Sequence, residues 1–206
     1  MEKKRVIAIS GQPGAGSSTL AQLLAEKLGL NHFIVGRLFK DLALGTIEKQ
    51  KYYSLFKKIC KEKNLVLPSL TAKNDEDAVH KVWATIGKDK KFHEAIDGLQ
   101  NELAKKGNII LEGKLSIRII KNSSVKIWLT SSFKSRAERQ AQKNKISFEE
   151  ASRLIEIRQE QERAEWQRIY GFDYWDQEFE ADLVIDTTDK SPQEVCQEIT
   201  RFLNNN

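Results

Sequence analysis

The chain has 206 residues, 40% of them hydrophobic and 31% charged, which suits a single soluble domain with a core of ordinary size. A formal net charge of +5 favours anionic ligands, whether nucleotides or nucleic acid, without choosing between them. The apolar runs are too short to span a membrane, and Cys60 and Cys196 are isolated, as expected of free thiols in a reducing compartment.

The basic opening residues lead straight into an apolar segment at Arg5 to Ser10. That leaves no room for a signal peptide, and a cytoplasmic location is expected. The segment reads as a first strand. A glycine-rich turn follows, Gly11-Gln12-Pro13-Gly14-Ala15-Gly16, and a helix opens at Ser17-Ser18-Thr19 with Leu20, Leu23, Leu24 and Leu28 on one face. Gly29 is its stop signal. A short strand is predicted over His32 to Val35, then a helical patch after Gly36 with Leu38, Phe39, Leu42 and Ala43. Residues 46–91 are lysine-rich and weakly periodic and read as short helices forming an insertion. Residues 92–106 form a helix with Ile96, Leu99 and Leu103 on one stripe. Asn108 to Leu111 is a third strand, running into Glu112-Gly113-Lys114, and Val125 to Leu129 is a fourth. A helix over 133–143 holds Arg136 and Arg139. Ser147-Phe148-Glu149-Glu150 is a capping box that starts a long charged helix to about Tyr170. The last strand is Asp182 to Asp186, and Ser191-Pro192-Gln193-Glu194 starts a final helix. This alternation predicts an α/β fold with a five-stranded parallel sheet flanked by helices in one domain over residues 1–206. The three histidines, His32, His80 and His93, are too scattered to bind a metal together.

The motif after the first strand is one lysine short of G-x-x-x-x-G-K-[ST], the phosphate-binding loop, because Ser17 stands at the lysine position. Glycines at 11, 14 and 16 let successive N–H groups turn inward on phosphate oxygens, and the helix N-terminus adds its positive end. Ser18 occupies the position whose hydroxyl binds Mg²⁺, and Thr19 can reach a further phosphate oxygen. A plain strand-to-helix turn with no ligand is the alternative, and strand context, spacing and helix all weigh against it.

The chain resembles the archaeal-type cytidylate kinase family, a group of P-loop nucleoside monophosphate kinases. The matching segments are GQPGAG at 11–16, LAEKLGL at 24–30, VGRLFKDLA at 35–43, NIILEGKL at 108–115, VKIWLTSSFKSRAERQA at 125–141, IRQEQERAEWQRIYGFD at 157–173 and ADLVIDTT at 181–188. They cover nearly the whole chain except the insertion. The resemblance implies a P-loop kinase fold with a helical acceptor-binding insertion over 37–106 and a helical lid over 133–170. It implies transfer of the γ-phosphoryl of ATP, with Mg²⁺, to a nucleoside monophosphate such as CMP or dCMP. Donor phosphates would lie on Gly11, Gly14, Ala15, Gly16, Ser17, Ser18, Thr19 and Arg136. Gly36, Lys40, Asp97 and Lys114 would meet the acceptor. Ser18 and Glu112 would hold Mg²⁺, and Arg139, Arg158 and Ser17 would act at the transferring group. Small-molecule nucleotides are the expected partners of a monomer, with neither membrane nor nucleic acid involved.

The departures from the family are specific. Ser17 replaces the lysine, Arg37 stands where an acid is expected, and Lys40 and Lys114 replace arginines, losing the planar fork. Gly98, Leu99 and Glu165 stand where arginines are expected. A kinase for another small acceptor, a non-catalytic nucleotide-binding protein and an RNA-associated protein are the other readings. For the aromatic group Trp166, Tyr170, Tyr174 and Trp175, packing is the default and base stacking the alternative. The charged helix also fits a solvated face laced with weak ion pairs.

Overall fold

A computed structural model describes residues 4–73, 75–175 and 177–205, together with the side chains in them other than those of 75, 76, 79 and 80. The histidine at 80 therefore lies outside the described side chains. Five strands form one sheet: β1 Val6–Gly11, β2 Asn31–Ile34, β3 Ile109–Glu112, β4 Val125–Thr130 and β5 Leu183–Asp186. Their order is β2-β3-β1-β4-β5, and every pairing is parallel. β1 is central and buried along its whole length, as a strand covered on both faces must be.

The helices are α1 Ser17–Leu28, α2 Val35–Ala43, α3 Tyr53–Glu62, α4 Asp75–Thr85, α5 Lys90–Lys106, α6 Ser116–Ile119, α7 Phe133–Asn144, α8 Phe148–Tyr170 and α9 Pro192–Asn205. Alternate residues of β1 sort them into two layers. Val6 and Ala8 face a core built with α2, α3, α4 and α5, including Leu38, Phe56, Phe92 and Leu99. Ile7 and Ile9 face the opposite core, built with α1 and α9, including Leu24 and Ile199. The expected α/β architecture is present, with strand limits shifted by about a residue. Val35 belongs to α2 rather than β2, because the ladder with β3 ends at Ile34 opposite Glu112.

One expectation is corrected. The composition of α8 predicts little burial along it, yet Ala151, Ile155, Glu162, Trp166 and Ile169 are buried. Trp166 and Ile169 join Leu115 and Tyr174 in a third cluster with Trp83 against it. These partners come from distant segments, so the composition of the helix alone does not reveal them. The aromatic group at 166–175 is packed, in line with the default reading.

Candidate active site

The turn between β1 and α1 is held from behind. Arg136 on α7 is buried and donates Nη1 to the carbonyl of Pro13 at 3.3 Å and Nε to that of Ser131 at 3.2 Å. Arg139, one turn on, donates Nη1 to the carbonyl of Gly14 at 3.4 Å and Nη2 to that of Thr187. The hydroxyl of Thr187 donates to the carbonyl of Ala15 at 3.0 Å. Three consecutive carbonyls, 13 to 15, are thus drawn towards α7 and the end of β5. Within the turn, the Ala15 N–H donates back to the carbonyl of Gln12 at 3.0 Å, and that of Gln12 to the carbonyl of Leu129 at 3.0 Å. Gly14 and Gly16 make this possible with φ of 85° and 93°, where a side chain is strained. A Cβ on Gly14 would also press on Arg136 at 3.1 Å, whereas one on Gly16 would meet only open space. α1 starts after Gly16 with no side-chain cap, so its first-turn N–H groups have no partner from a capping residue or from within the helix.

Glu112, at the end of β3, faces this helix start. Its carboxylate accepts from Ser17 Oγ at 2.6 Å and Ser18 Oγ at 3.1 Å. Burial pushes its pKa above the ordinary carboxylate range, and the two hydroxyls oppose that push. The following residues are fixed tightly. Ser10 Oγ donates to the carbonyl of Gly113 at 2.6 Å, and a Cβ on Gly113 would strike Val35 at 2.7 Å. Glycine at 113 therefore lets β3 pass close under α2.

Beyond that turn lies a charge cluster centred on Glu162 of α8. Lys114 Nζ approaches Glu162 Oε2 at 3.1 Å, Arg158 Nε donates to Oε1 at 2.7 Å, and the buried Tyr174 hydroxyl donates to Oε2 at 3.1 Å. Burial alone would raise the Glu162 pKa. The cations Lys114 and Arg158 outweigh it and hold the pKa down at about 2. Burial likewise pulls Lys114 below the ordinary lysine range, while Glu162 and, more weakly, Glu112 oppose it. Lys114 thus links the two buried carboxylates electrostatically. Sequence reasoning missed Glu162, although its i+4 spacing from Arg158 was a signal. Tyr174, Thr187 and Ser10 gave no such signal.

The structure brings together Gly11, Gly14, Ala15, Gly16, Ser17, Ser18, Thr19, Glu112, Arg136 and Arg139 around one loop, with Lys114 and Arg158 in the neighbouring cluster. The remaining expected acceptor residues have separate surroundings. Gly36 lies exposed in the first turn of α2. Lys40 lines a cleft of about 160 Å³ with Arg37, Asp41 and Leu44. Arg37 also lines a second cleft of about 190 Å³ with Gln22, His32 to Ile34, Gln50 and Tyr52. Asp97 on α5 accepts the Tyr170 hydroxyl at 2.8 Å, and burial pushes its pKa up to about 7. Glu165, where an arginine was expected, pairs with Arg168 at 2.5 Å. His93 is buried and approaches the Gly87 carbonyl through Nε2 at 2.6 Å, a packing role. Among the described residues no three His, Cys, Asp or Glu side chains gather as a metal site. No helix among them is long and apolar enough to cross a membrane.

Known proteins resemble this chain in sequence and in fold. The sequence profile of the Cytidylate kinase-like family matches residues 6–189. A cytidylate kinase of Pyrococcus horikoshii is 33% identical over 196 residues, covering 93% of this chain and 84% of that protein. One of Ignicoccus hospitalis is 32% identical over 199 residues, covering 96% and 98%. The crystal structure of a shikimate kinase from Bacteroides thetaiotaomicron superposes with a TM-score of 0.54 at 13% identity, covering 98% of this chain and 99% of that one, a likeness of fold alone. With a phosphate-binding loop after the first strand of a parallel sheet and a profile match over nearly its whole length, the chain belongs to the cytidylate kinase-like family of P-loop nucleotide kinases.

Proposed function

We propose that this protein transfers the γ-phosphoryl group of ATP to a nucleoside monophosphate, CMP or dCMP before others. The observation behind this reading is the uncapped start of α1, with the carbonyls of Pro13, Gly14 and Ala15 pulled away from it. That leaves the first-turn N–H groups of α1, at the positive end of the helix, as a site for the triphosphate. Arg136 and Arg139 act on the donor side by bracing the loop. The residues at the helix start fit Mg²⁺, since Ser17, Ser18 and Glu112 offer only hard oxygen atoms and the buried carboxylate gains from a cation. Ser18 and Glu112 would hold it, and the ion would neutralise charge on the donor phosphates when bound.

Phosphoryl transfer asks the protein mainly for position and fixed positive charge. Ser17 supplies no charge. Lys114 and Arg158, held together by the shared carboxylate of Glu162, are the cations that supply it. Lys40 and Lys114, with Gly36 leaving room at the start of α2, receive the acceptor phosphate. Asp97, on α5, is the acidic residue assigned to the acceptor. Residues 37–106 serve as the acceptor-binding segment and 133–170 as the lid, whose closure excludes water. The cytidylate kinases among the relatives favour CMP. A kinase for another small acceptor is the second reading, favoured by Arg37 in both clefts beside α2 and by the lysines at 40 and 114. A coupled assay of ADP release across a panel of nucleoside monophosphates tests both. Release stimulated by CMP or dCMP and by Mg²⁺ is the expected result. Equal basal release with every monophosphate overturns the nucleotide acceptor.

A further inference from the structure

One helix touches both halves of the proposed site. α8 has 23 residues and no proline or glycine, so it is an unbroken rod about 34 Å long at 1.5 Å per residue. Its C-terminal end is fastened to the acceptor segment. Trp166 packs edge-on against Trp83 of α4 and His93 of α5, with ring centroids 5.9 and 4.8 Å apart. Tyr170 donates its hydroxyl to Asp97 of α5. Arg168, steadied by Glu165, donates Nη2 to the carbonyl of Lys88 at 2.7 Å. One turn back, Glu162 holds Lys114 and Arg158. Next to Arg158, Gln159 accepts from Arg136 Nη1 at 3.4 Å, and the same nitrogen donates to the carbonyl of Pro13 in the phosphate loop.

We propose that α8 is a lever coupling the acceptor segment to the donor loop, with Arg168 and Tyr170 as positioning residues that act through it. The proposal rests on reading the loop at 11–19 as the donor site. A sharp kink would have to disrupt the i to i−4 hydrogen bonds, and α8 has no proline or glycine at which one forms readily, so a displacement at 166–170 reaches Glu162 and Gln159, one to three turns away. Binding at either end then favours the same placement of the helix, and the coupling is reciprocal. Glu165 has its place in this scheme. Where an arginine would face a nucleotide, this chain has a carboxylate that fixes Arg168 on the acceptor segment.

Reciprocity allows a test that needs no acceptor. Hydrogen exchange of the full chain is followed with and without a non-hydrolysable ATP analogue, whose affinity is measured by calorimetry. The analogue is expected to slow exchange in α5 by about fivefold or more. The Arg168→Ala, Tyr170→Phe double variant is expected to bind the analogue within about twofold of the parent but to lose that slowing. Tyr170→Phe alone keeps the ring, serves if the double variant does not fold, and should show partial loss. Binding without slowing in the parent, or equal slowing in the variants, overturns the lever and leaves the donor site standing. Failure of the parent to bind the analogue overturns the donor site and the lever together.

Discussion

The donor loop and the charge cluster around Glu162 are built by different means. The loop is a backbone device. Its shape is set by backbone groups, with the side chains of Arg136, Arg139 and Thr187 bonded to its carbonyls, and its proposed ligand contacts are peptide N–H groups. The cluster is a side-chain device, in which one buried carboxylate orders two cations and a phenol from three separate segments. A backbone site tolerates change in what its residues display, such as serine for lysine at 17, provided the glycines stay. A side-chain site fails when its central residue is lost. The two regions should therefore break in different ways.

Gly16→Val is expected to have the largest effect, loss of measurable ATP binding in calorimetry. A β-branched residue resists the φ of 93°, and its side chain would project into the open side of the loop. Retained affinity would show that the loop is not the donor site. Glu162→Ala should instead leave ATP-analogue affinity within a few-fold and lower turnover sharply. It leaves the largely buried Lys114 without its counter-charge, while Arg158, with a side chain 54% exposed, stays in contact with water, at a stability cost of about 1–3 kcal/mol by chemical denaturation. An unchanged denaturation midpoint would mean that the cluster is solvated and carries little energy.

How much of this was legible in the sequence follows the same division. Alternating hydrophobic periods gave the sheet and its helices, since both layers show along β1 itself. The loop was legible because glycine spacing encodes backbone conformation directly. No local pattern records that Ser17 meets Glu112 from 95 residues away; only the family resemblance, which put Ser18 and Glu112 on one Mg²⁺, brought that carboxylate to the loop. The burial of α8 was illegible for a related reason. Its charged composition reads as a solvated helix, and only the tertiary meeting of Trp166 with Trp83 and His93 reveals the anchored end.

Two smaller effects sharpen the contrast. Ser17→Lys would place an ammonium beside Glu112, in competition with Mg²⁺ and with the field of Lys114. Turnover is expected to fall about tenfold, or 1.4 kcal/mol in the barrier, with little change in fold stability. A rise in turnover would show that the loop itself lacks charge and that Lys114 does not replace it. The smallest effect concerns pH. Burial raises the Asp97 pKa from 3.8 to about 7 in the folded protein, with Glu94 adding to the rise and Tyr170 and Lys63 opposing it. The folded state therefore keeps a proton that the unfolded chain releases, and stability falls as pH rises from about 4 to 7. Glu112, also raised, acts in the same sense. Glu162, lowered from 4.5 to about 2, acts in the opposite sense, with its stabilisation lost as pH falls through that range. Asp97→Asn should flatten the slope between pH 5 and 7 and gain on the order of 1 kcal/mol relative to the parent at pH 8. Parallel stability curves for parent and variant would place the Asp97 pKa in the ordinary range.

The central claim is that the backbone loop and the side-chain cluster are two halves of one phosphoryl-transfer site. Calorimetry with a bisubstrate analogue, adenosine and cytidine joined through five phosphates, tests it most directly. Affinity at least about a hundredfold above that of the ATP analogue, a gain of some 2.7 kcal/mol, is the predicted result, with the gain lost in Glu162→Ala and all binding lost in Gly16→Val. Affinity no greater than that of the ATP analogue alone would contradict the account, because the cluster would then not face the loop across an acceptor.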